Sequence, residues 1–267
     1  RADGVILSGG SVFGLAAGDG VAKILSKQNI GLKFTETMPA VPIVVGAILF
    51  DLVNGGDKNW DLDTPYHDLG IKALSDAQER NGARFPLGNH GAGLGARAGN
   101  KEGGLGSASL DLGDGLMVGA LVAVNSVGSV FMPDGKTYWA QPFAYGDELG
   151  GQKSNPYQDP AIQPIPDDAK LKGMTAGTNT TIGVIATSAK LTTAECKRVA
   201  MMAHDGFARA IRPVHTPSDG DTIFCISGGT KEIPNGTTRA GWLSEIGSAA
   251  ADTMARAIAR GVYEAQK

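Results

Sequence analysis

Apolar positions recur along this chain with two periods, and the switches between them mark out its elements. Residues 4–7 read as a short buried strand, closed by the turn Ser8-Gly9-Gly10-Ser11. A helix is predicted over residues 12–27, with Gly18 and Gly20 inside it. Interior glycines cost a helix about 1 kcal/mol each against alanine, so close packing on another element is expected there. Residues 41–52 form an apolar, β-branched strand pattern, and residues 64–80 a helix with Pro65 suited to its first turn. From 91 to 140 the pattern becomes short strands between glycine turns, among them 116–124 and 128–132, the latter followed by the turn Pro133-Asp134-Gly135-Lys136. Residues 141–178 hold clustered prolines and little periodicity, and read as an exposed loop or interdomain linker. Beyond them come a strand over 180–187, a helix over 193–211 opened by the capping box Thr192/Glu195, and a strand over 222–227. A last helix over 240–265 carries Leu243, Ile246, Ala250, Met254, Ile258 and Val262 on one face. Mixed strands and helices predict a layered α/β or α+β sandwich.

Composition sharpens this picture in one respect. Glycine supplies 39 of 267 residues, about twice the usual share of roughly 7%. Without a G-X-Y period, and interleaved with apolar runs, these glycines point to tight turns and a backbone-lined site. A net charge of −3 with no Lys/Arg block argues against nucleic acid or an anionic membrane as partner. Cys196 and Cys225 match no zinc spacing and lie in apolar-patterned segments, so buried free thiols are expected. No apolar run reaches the roughly 18 residues of a membrane span, and a cytoplasmic location is expected. The chain opens at Arg1, without Met, straight into a strand-like segment, which suggests that it begins inside a longer gene product.

Several motifs compete for the chemistry. The string from Gly91 to Ala98 contains GxGxxA, but strands follow it where a dinucleotide site needs a helix, so a glycine-rich turn is the better reading. Gly9-Gly10-Ser11-Val12-Phe13 lies between a strand and a helix, yet Phe13 occupies the fifth position where a nucleophile elbow requires glycine. Ser11 is therefore read as a turn or cap residue. His204, His215, Asp219 and Asp221 lack a spacing that puts two metal ligands on one face, and His67 and His90 are isolated. The junction at Asn179-Thr180-Thr181 differs in kind, since a long polar segment ends abruptly where an apolar strand begins. An N-terminal threonine carries its own base in its α-amine, with a reference pKa of about 7.7–8.0. On pattern alone, a Thr-Thr pair opening a strand reflects β-propensity.

Four blocks give the chain its resemblance to a known family: Ser8-Gly-Gly-Ser-Val-Phe-Gly-Leu15, the run from Gly91 through Lys101 to Ser109, Leu121-Val-Ala-Val-Asn125, and the Asn179-Thr-Thr-Ile182 block. The last continues into Met202-Ala-His-Asp-Gly206 and Ile211-Arg-Pro-Val-His-Thr-Pro-Ser-Asp-Gly-Asp-Thr222. On these residues the chain resembles the DmpA/NylC-type self-processing aminopeptidase/amidohydrolase family of D-aminopeptidases, β-peptidyl aminopeptidases and nylon-oligomer hydrolases, and the last of these most closely. The resemblance implies an α+β fold, a four-layer αββα sandwich of the Ntn-hydrolase-like type. It implies one catalytic domain cut into residues 1–179 and 180–267, with Thr180 as nucleophile and Asn179 as the new C-terminus. Asn125 matches an oxyanion asparagine, Asp219 and Asp221 an acidic pair facing the nucleophile, and Lys101 a catalytic-site lysine, here with one extra residue just before it. Phe50 stands where the nylon-hydrolase type has tyrosine, and the family's opening strands are expected ahead of residue 1.

The function so implied is hydrolysis of amide bonds through an acyl-enzyme, without metal or organic cofactor, in a homotetramer of processed units. Candidate substrates are small: short peptides with a free N-terminus, β- or D-amino peptides, and 6-aminohexanoate oligomers. An acyltransferase on the same scaffold, and a non-catalytic member that only binds small peptides, are the rival readings.

Overall fold

The computed structural model describes residues 1–82, 84–151, 165–170 and 179–267. Strand β1 (Gly4–Ser8) pairs in parallel with β2 (Val44–Ile48), the connection passing through helix α1 (Ala16–Lys27). Helix α2 (Tyr66–Arg80) packs on α1. A short hairpin, β3 (Arg97–Ala98) and β4 (Lys101–Glu102), leads into a four-stranded sheet. Its strands β5 (Gly104–Asp111), β6 (Met117–Val124), β7 (Ile182–Ala189) and β8 (Thr222–Lys231) lie in that order, antiparallel except for the parallel β7–β8 pair. Helix α3 (Thr193–Ala210) makes the β7–β8 crossover, and α4 (Arg239–Ala265) closes the chain.

Strand alternation sorts these elements into layers. On β6, Val118, Ala120, Val122 and Val124 face one way and join Val199, Ala203 and Phe207 of α3 and Trp242, Ile246, Met254 and Ile258 of α4 in the main core. Ala123 faces the other way, and with Ile182 it packs on Leu49, Leu7 and Ala47 from the β1–β2 pair. The far side of that pair meets α1, where a Cβ on Gly4 would touch Val21 at 3.5 Å and one on Gly18 would reach Val44 at 4.0 Å. The order is helix pair, two-stranded sheet, four-stranded sheet, helix pair, which is the expected αββα sandwich. Away from the β1–β2 pair the four-stranded sheet leaves Met117 and Ile226 exposed.

Most predicted elements form, with instructive changes at their ends. The capping box is present, the Thr192 hydroxyl accepting from the Glu195 amide while Glu195 reaches back to the Thr192 N–H. The helix expected over 12–27 begins as a 3-10 turn, Ser11–Leu15, before α1. The strand expected over 41–52 is shorter, because Asp51 turns back to accept the Gly10 N–H at 2.8 Å. No strand forms over 128–132. There Ser129 bridges Arg212 and Phe131 bridges Tyr138, two different partners that cannot build one ladder. Within the segment expected as an exposed loop, Leu149 and Pro166 are buried, and Glu148 grips Arg256 of α4 through two bonds of 2.7 and 2.8 Å. Residues 152–164 and 171–178 of that segment lie outside the described residues.

The interior glycines of α1 have the expected cause at one position. A Cβ on Gly20 would sit 2.2 Å from the His67 carbonyl oxygen of α2, and one on Gly70 would sit 2.2 Å from that of Ala17, so the helices touch backbone to backbone. Gly20→Ala should therefore destabilise by about 1–3 kcal/mol despite the better helix propensity of alanine. Denaturant unfolding measures this, and a midpoint at or above wild type would show that the contact has room.

Candidate active site

The ends of the middle strands of the four-stranded sheet bring together Thr180, Asn125, Asp219 and Asp221. Past Val124, β6 continues into Asn125, and ahead of Ile182 the chain 179–181 runs in register with it. The Thr180 N–H donates to the Asn125 carbonyl at 2.7 Å, prolonging the β6–β7 ladder. On the other side the approach to β8 does the same: the Gly220 N–H donates to the Asn179 carbonyl at 3.0 Å, and the Thr222 N–H to the Thr181 carbonyl at 3.1 Å. Thr180 is thus held between two strands, with a relative exposure of 8%, beside Asn179 at 2% and Asn125 at 1%. Its hydroxyl donates to the Asn179 carbonyl oxygen at 2.5 Å, so the nucleophile candidate lies against the bond it would cut. Gly220 admits this, because a Cβ there would come within 2.9 Å of the Thr180 Oγ1.

Asn125 is clamped at both ends of its amide. Oδ1 accepts from the Arg97 N–H and Nδ2 donates to the Phe50 carbonyl, each at 2.9 Å. One Nδ2 hydrogen is used, and an amide carries two. Phe50 contributes through its backbone, so the missing tyrosine hydroxyl does not affect this clamp.

The two aspartates flank Gly220 but answer to different partners. Asp219 takes the Val127 N–H at 3.1 Å on Oδ1, and the Thr216 N–H and hydroxyl at 2.9 and 2.7 Å on Oδ2. Burial pushes its carboxyl above the ordinary range, the Thr216 hydroxyl opposes this and the neighbouring Asp221 adds to it. Asp221 takes the Thr181 N–H at 2.8 Å on Oδ1 and lies 2.7 Å from the His215 Nδ1 through Oδ2. His215, which the sequence considered only as a metal ligand, belongs to the site. Among the described residues no group of three or more His, Cys, Asp or Glu side chains is placed to hold a metal ion.

Lys101 stands on the surface. It is exposed on β4, where it lines a surface cleft with Trp139 and Asp168, and among the described residues no hydrogen bond or ion pair links it to Thr180, Asn125, Asp219 or Asp221. Lys170 lies near two residues of the site's border, Arg97 and Val127. Its backbone N–H donates to Val127 at 2.9 Å and its Nζ to the Arg97 carbonyl at 2.8 Å, both residues that touch the site. Burial pushes its ammonium down to about 8, Arg97 adds to this, and Asp219 opposes it. No pattern could have found it, since it sits in the aperiodic stretch before the junction.

The remaining candidates fall away from the centre. Ser11 opens the 3-10 turn with its N–H on Leu49, and Gly91–Gly93 form a second 3-10 turn, the glycine-rich turn expected there. Cys196 and Cys225 are free thiols, only partly covered, with the Cys225 thiol pushed up chiefly by burial and then by the adjacent Cys196. No described helix is long and apolar enough to cross a membrane.

The chain is similar to several known proteins. The profile of peptidase family S58 aligns with residues 2–267. An uncharacterized aminopeptidase of Mycobacterium leprae is 41% identical over 272 residues, covering 99% of this chain and 72% of the relative. A 6-aminohexanoate-oligomer endohydrolase of Agromyces sp. is 30% identical over 243 residues, covering 88% of this chain and 62% of the relative. Among solved structures, the L-aminopeptidase D-Ala-esterase/amidase of Ochrobactrum anthropi, described as a new variant among the Ntn hydrolase fold, superposes with a TM-score of 0.57 at 18% identity, over 92% of this chain and 61% of that one. The chain therefore spans about three fifths of the length of that solved structure and of the oligomer hydrolase.

The environment of Lys170 makes a measurable difference. In competitive amine labelling across pH, read by mass spectrometry, Lys170 should titrate near 8, well below the roughly 10.4 of an ordinary lysine. A midpoint at the ordinary value would show that its ammonium remains solvated.

Proposed function

Because this chain belongs to peptidase family S58, we propose that it hydrolyses amide bonds of short peptides or 6-aminohexanoate oligomers, using Thr180 as an N-terminal nucleophile released by self-cleavage after Asn179. One observation carries the reading: the Thr180 hydroxyl lies 2.5 Å from the Asn179 carbonyl oxygen, while that same oxygen accepts the Gly220 N–H at 3.0 Å. A hydroxyl held next to a carbonyl whose oxygen also takes a fixed backbone donor supports a role in intramolecular acyl transfer.

In the first step the Thr180 Oγ1 attacks the Asn179 carbonyl carbon. The negative charge on the former carbonyl oxygen is met by the Gly220 N–H, and collapse breaks the C–N bond as the nitrogen of residue 180 takes up the hydroxyl proton. Water then hydrolyses the ester, leaving the Asn179 carboxylate and a free Thr180 amine in fragments 1–179 and 180–267. In the second step that amine takes the hydroxyl proton as Oγ1 attacks a substrate amide. The unused Nδ2 hydrogen of Asn125 stabilises the oxyanion, the amine product leaves with a proton, and water releases the acyl group. The amine needs no new support, since its precursor N–H already points at the Asn125 carbonyl at 2.7 Å. The oligomer substrate is suggested by the relatives named 6-aminohexanoate-oligomer endohydrolase at 30% identity, and the peptide substrate by those named aminopeptidase at 40–41%.

Purified protein should run as two fragments on denaturing electrophoresis, and Thr180→Ala should yield one uncut, inactive chain. An uncut wild type that hydrolyses these substrates would sink the reading. Asn125→Ala, tested on whatever fraction processes, should lower kcat on the order of 100- to 1,000-fold. An unaltered kcat would remove Asn125 from the oxyanion site.

A further inference from the structure

Asp221 is the inner end of a chain of groups that the mechanism above does not use. Its Oδ1 takes the N–H of Thr181, next to the nucleophile, at 2.8 Å. Its Oδ2 lies 2.7 Å from the His215 Nδ1, and the His215 Nε2 lies 3.3 Å from the Nδ1 of His204 on α3. The backbone of His215 is left-handed, with φ at 54°, and its ring stacks on Phe207 with centroids 5.8 Å apart. A non-glycine residue in that region is uncommon and favours a functional constraint. The ring is 39% exposed while the Asp221 side chain is 4% exposed, so the chain joins solvent to the buried site.

Both protonation states of His215 keep this chain bonded. Neutral His215 donates from Nδ1 to Asp221 and accepts at Nε2 from a His204 Nδ1–H. Protonated His215 donates from both nitrogens, and His204 accepts once its own proton sits on Nε2. What changes is the charge facing Asp221. The groups that face the pair are Asp221 and Asp219 on His215, and Asp221 and Asp205 on His204. The bond to Asp221 pulls the His215 imidazole above its ordinary value although burial opposes it, whereas burial pushes His204 down. His215 is the ring that gains the proton.

We propose that His215 is a positioning residue of the reaction: its imidazolium, held between Asp221 and His204, offsets the Asp221 carboxylate that holds the Thr181 N–H and so lowers the pH at which the Thr180 amine gives up its proton. An unbalanced carboxylate near an amine stabilises the ammonium form, which cannot accept the hydroxyl proton. The inference rests on Thr180 being the N-terminal nucleophile.

His215→Asn tests it, because asparagine tolerates left-handed backbone and keeps an N–H donor for Asp221 but carries no charge. With the processed enzyme, the acid limb of the kcat/KM profile should move up by about one pH unit. A limb that stays in place, in a variant that processes normally, would overturn the proposal, since a purely structural hydrogen bond is preserved. Should the variant not process, the ¹⁵N shifts of the wild-type imidazoles decide. A His215 titration above the ordinary value of about 6.5 supports the proposal, and a ring neutral down to that pH overturns it. If Thr180→Ala remains active, the nucleophile assignment itself fails. If Thr180→Ala is inactive while the limb is unmoved, only the role of His215 fails.

Discussion

The hydrogen bond from the Thr180 N–H to the Asn125 carbonyl, 2.7 Å long and buried at the middle of a sheet, is the constraint on which the site depends. A buried backbone donor without a partner costs about 1–3 kcal/mol, so this bond ties residue 180 to the end of β6. Strand pairing on the opposite side, from Gly220 to Asn179 and from Thr222 to Thr181, holds the carbonyl and the hydroxyl against each other. The geometry at the junction is therefore a property of the ladder.

Around this ladder, rigidity comes from polar groups whose partners are already assigned. Asn125 cannot turn its amide without losing Arg97 or Phe50. Asp219, with three donors, fastens the turn that delivers Gly220 to Val127 at the end of β6. Gly220 brings a backbone N–H where a side chain would collide with the Thr180 hydroxyl. Preorganised donors of this kind act where charge develops without reorganising as the reaction proceeds.

Electrostatics divides the site into two sides. Toward α3, Asp221 and its histidines form a network in contact with solvent. Toward the end of β6, Lys170 sits within the influence of Arg97 and Asp219 with its ammonium held near 8. In the proposed enzyme the Thr180 amine would lie between an acidic and a basic flank, and its pKa would be set by both.

Much of this protein is written locally. The 3.6-residue spacing of Val199, Ala203 and Phe207 and the Thr192/Glu195 pair specify α3, and the alternation in β6 specifies which of its faces meets the helices, because these signals act between near neighbours. Family resemblance located Thr180, Asn125, Asp219 and Asp221 by matching short motifs. The tertiary structure decided what those motifs touch. It shortened the strand after Ile48, because Asp51 is drawn to Gly10 across 41 residues. It left Lys101 on the surface and brought Lys170 in, from a stretch with no period to read. It joined His204 and His215, weighed in the sequence as metal candidates, into one hydrogen-bonded chain ending at Asp221. Periodicity records which face of an element is buried. Which polar side chains then meet depends on how faces from distant segments are stacked, and that information exists only once the layers have formed.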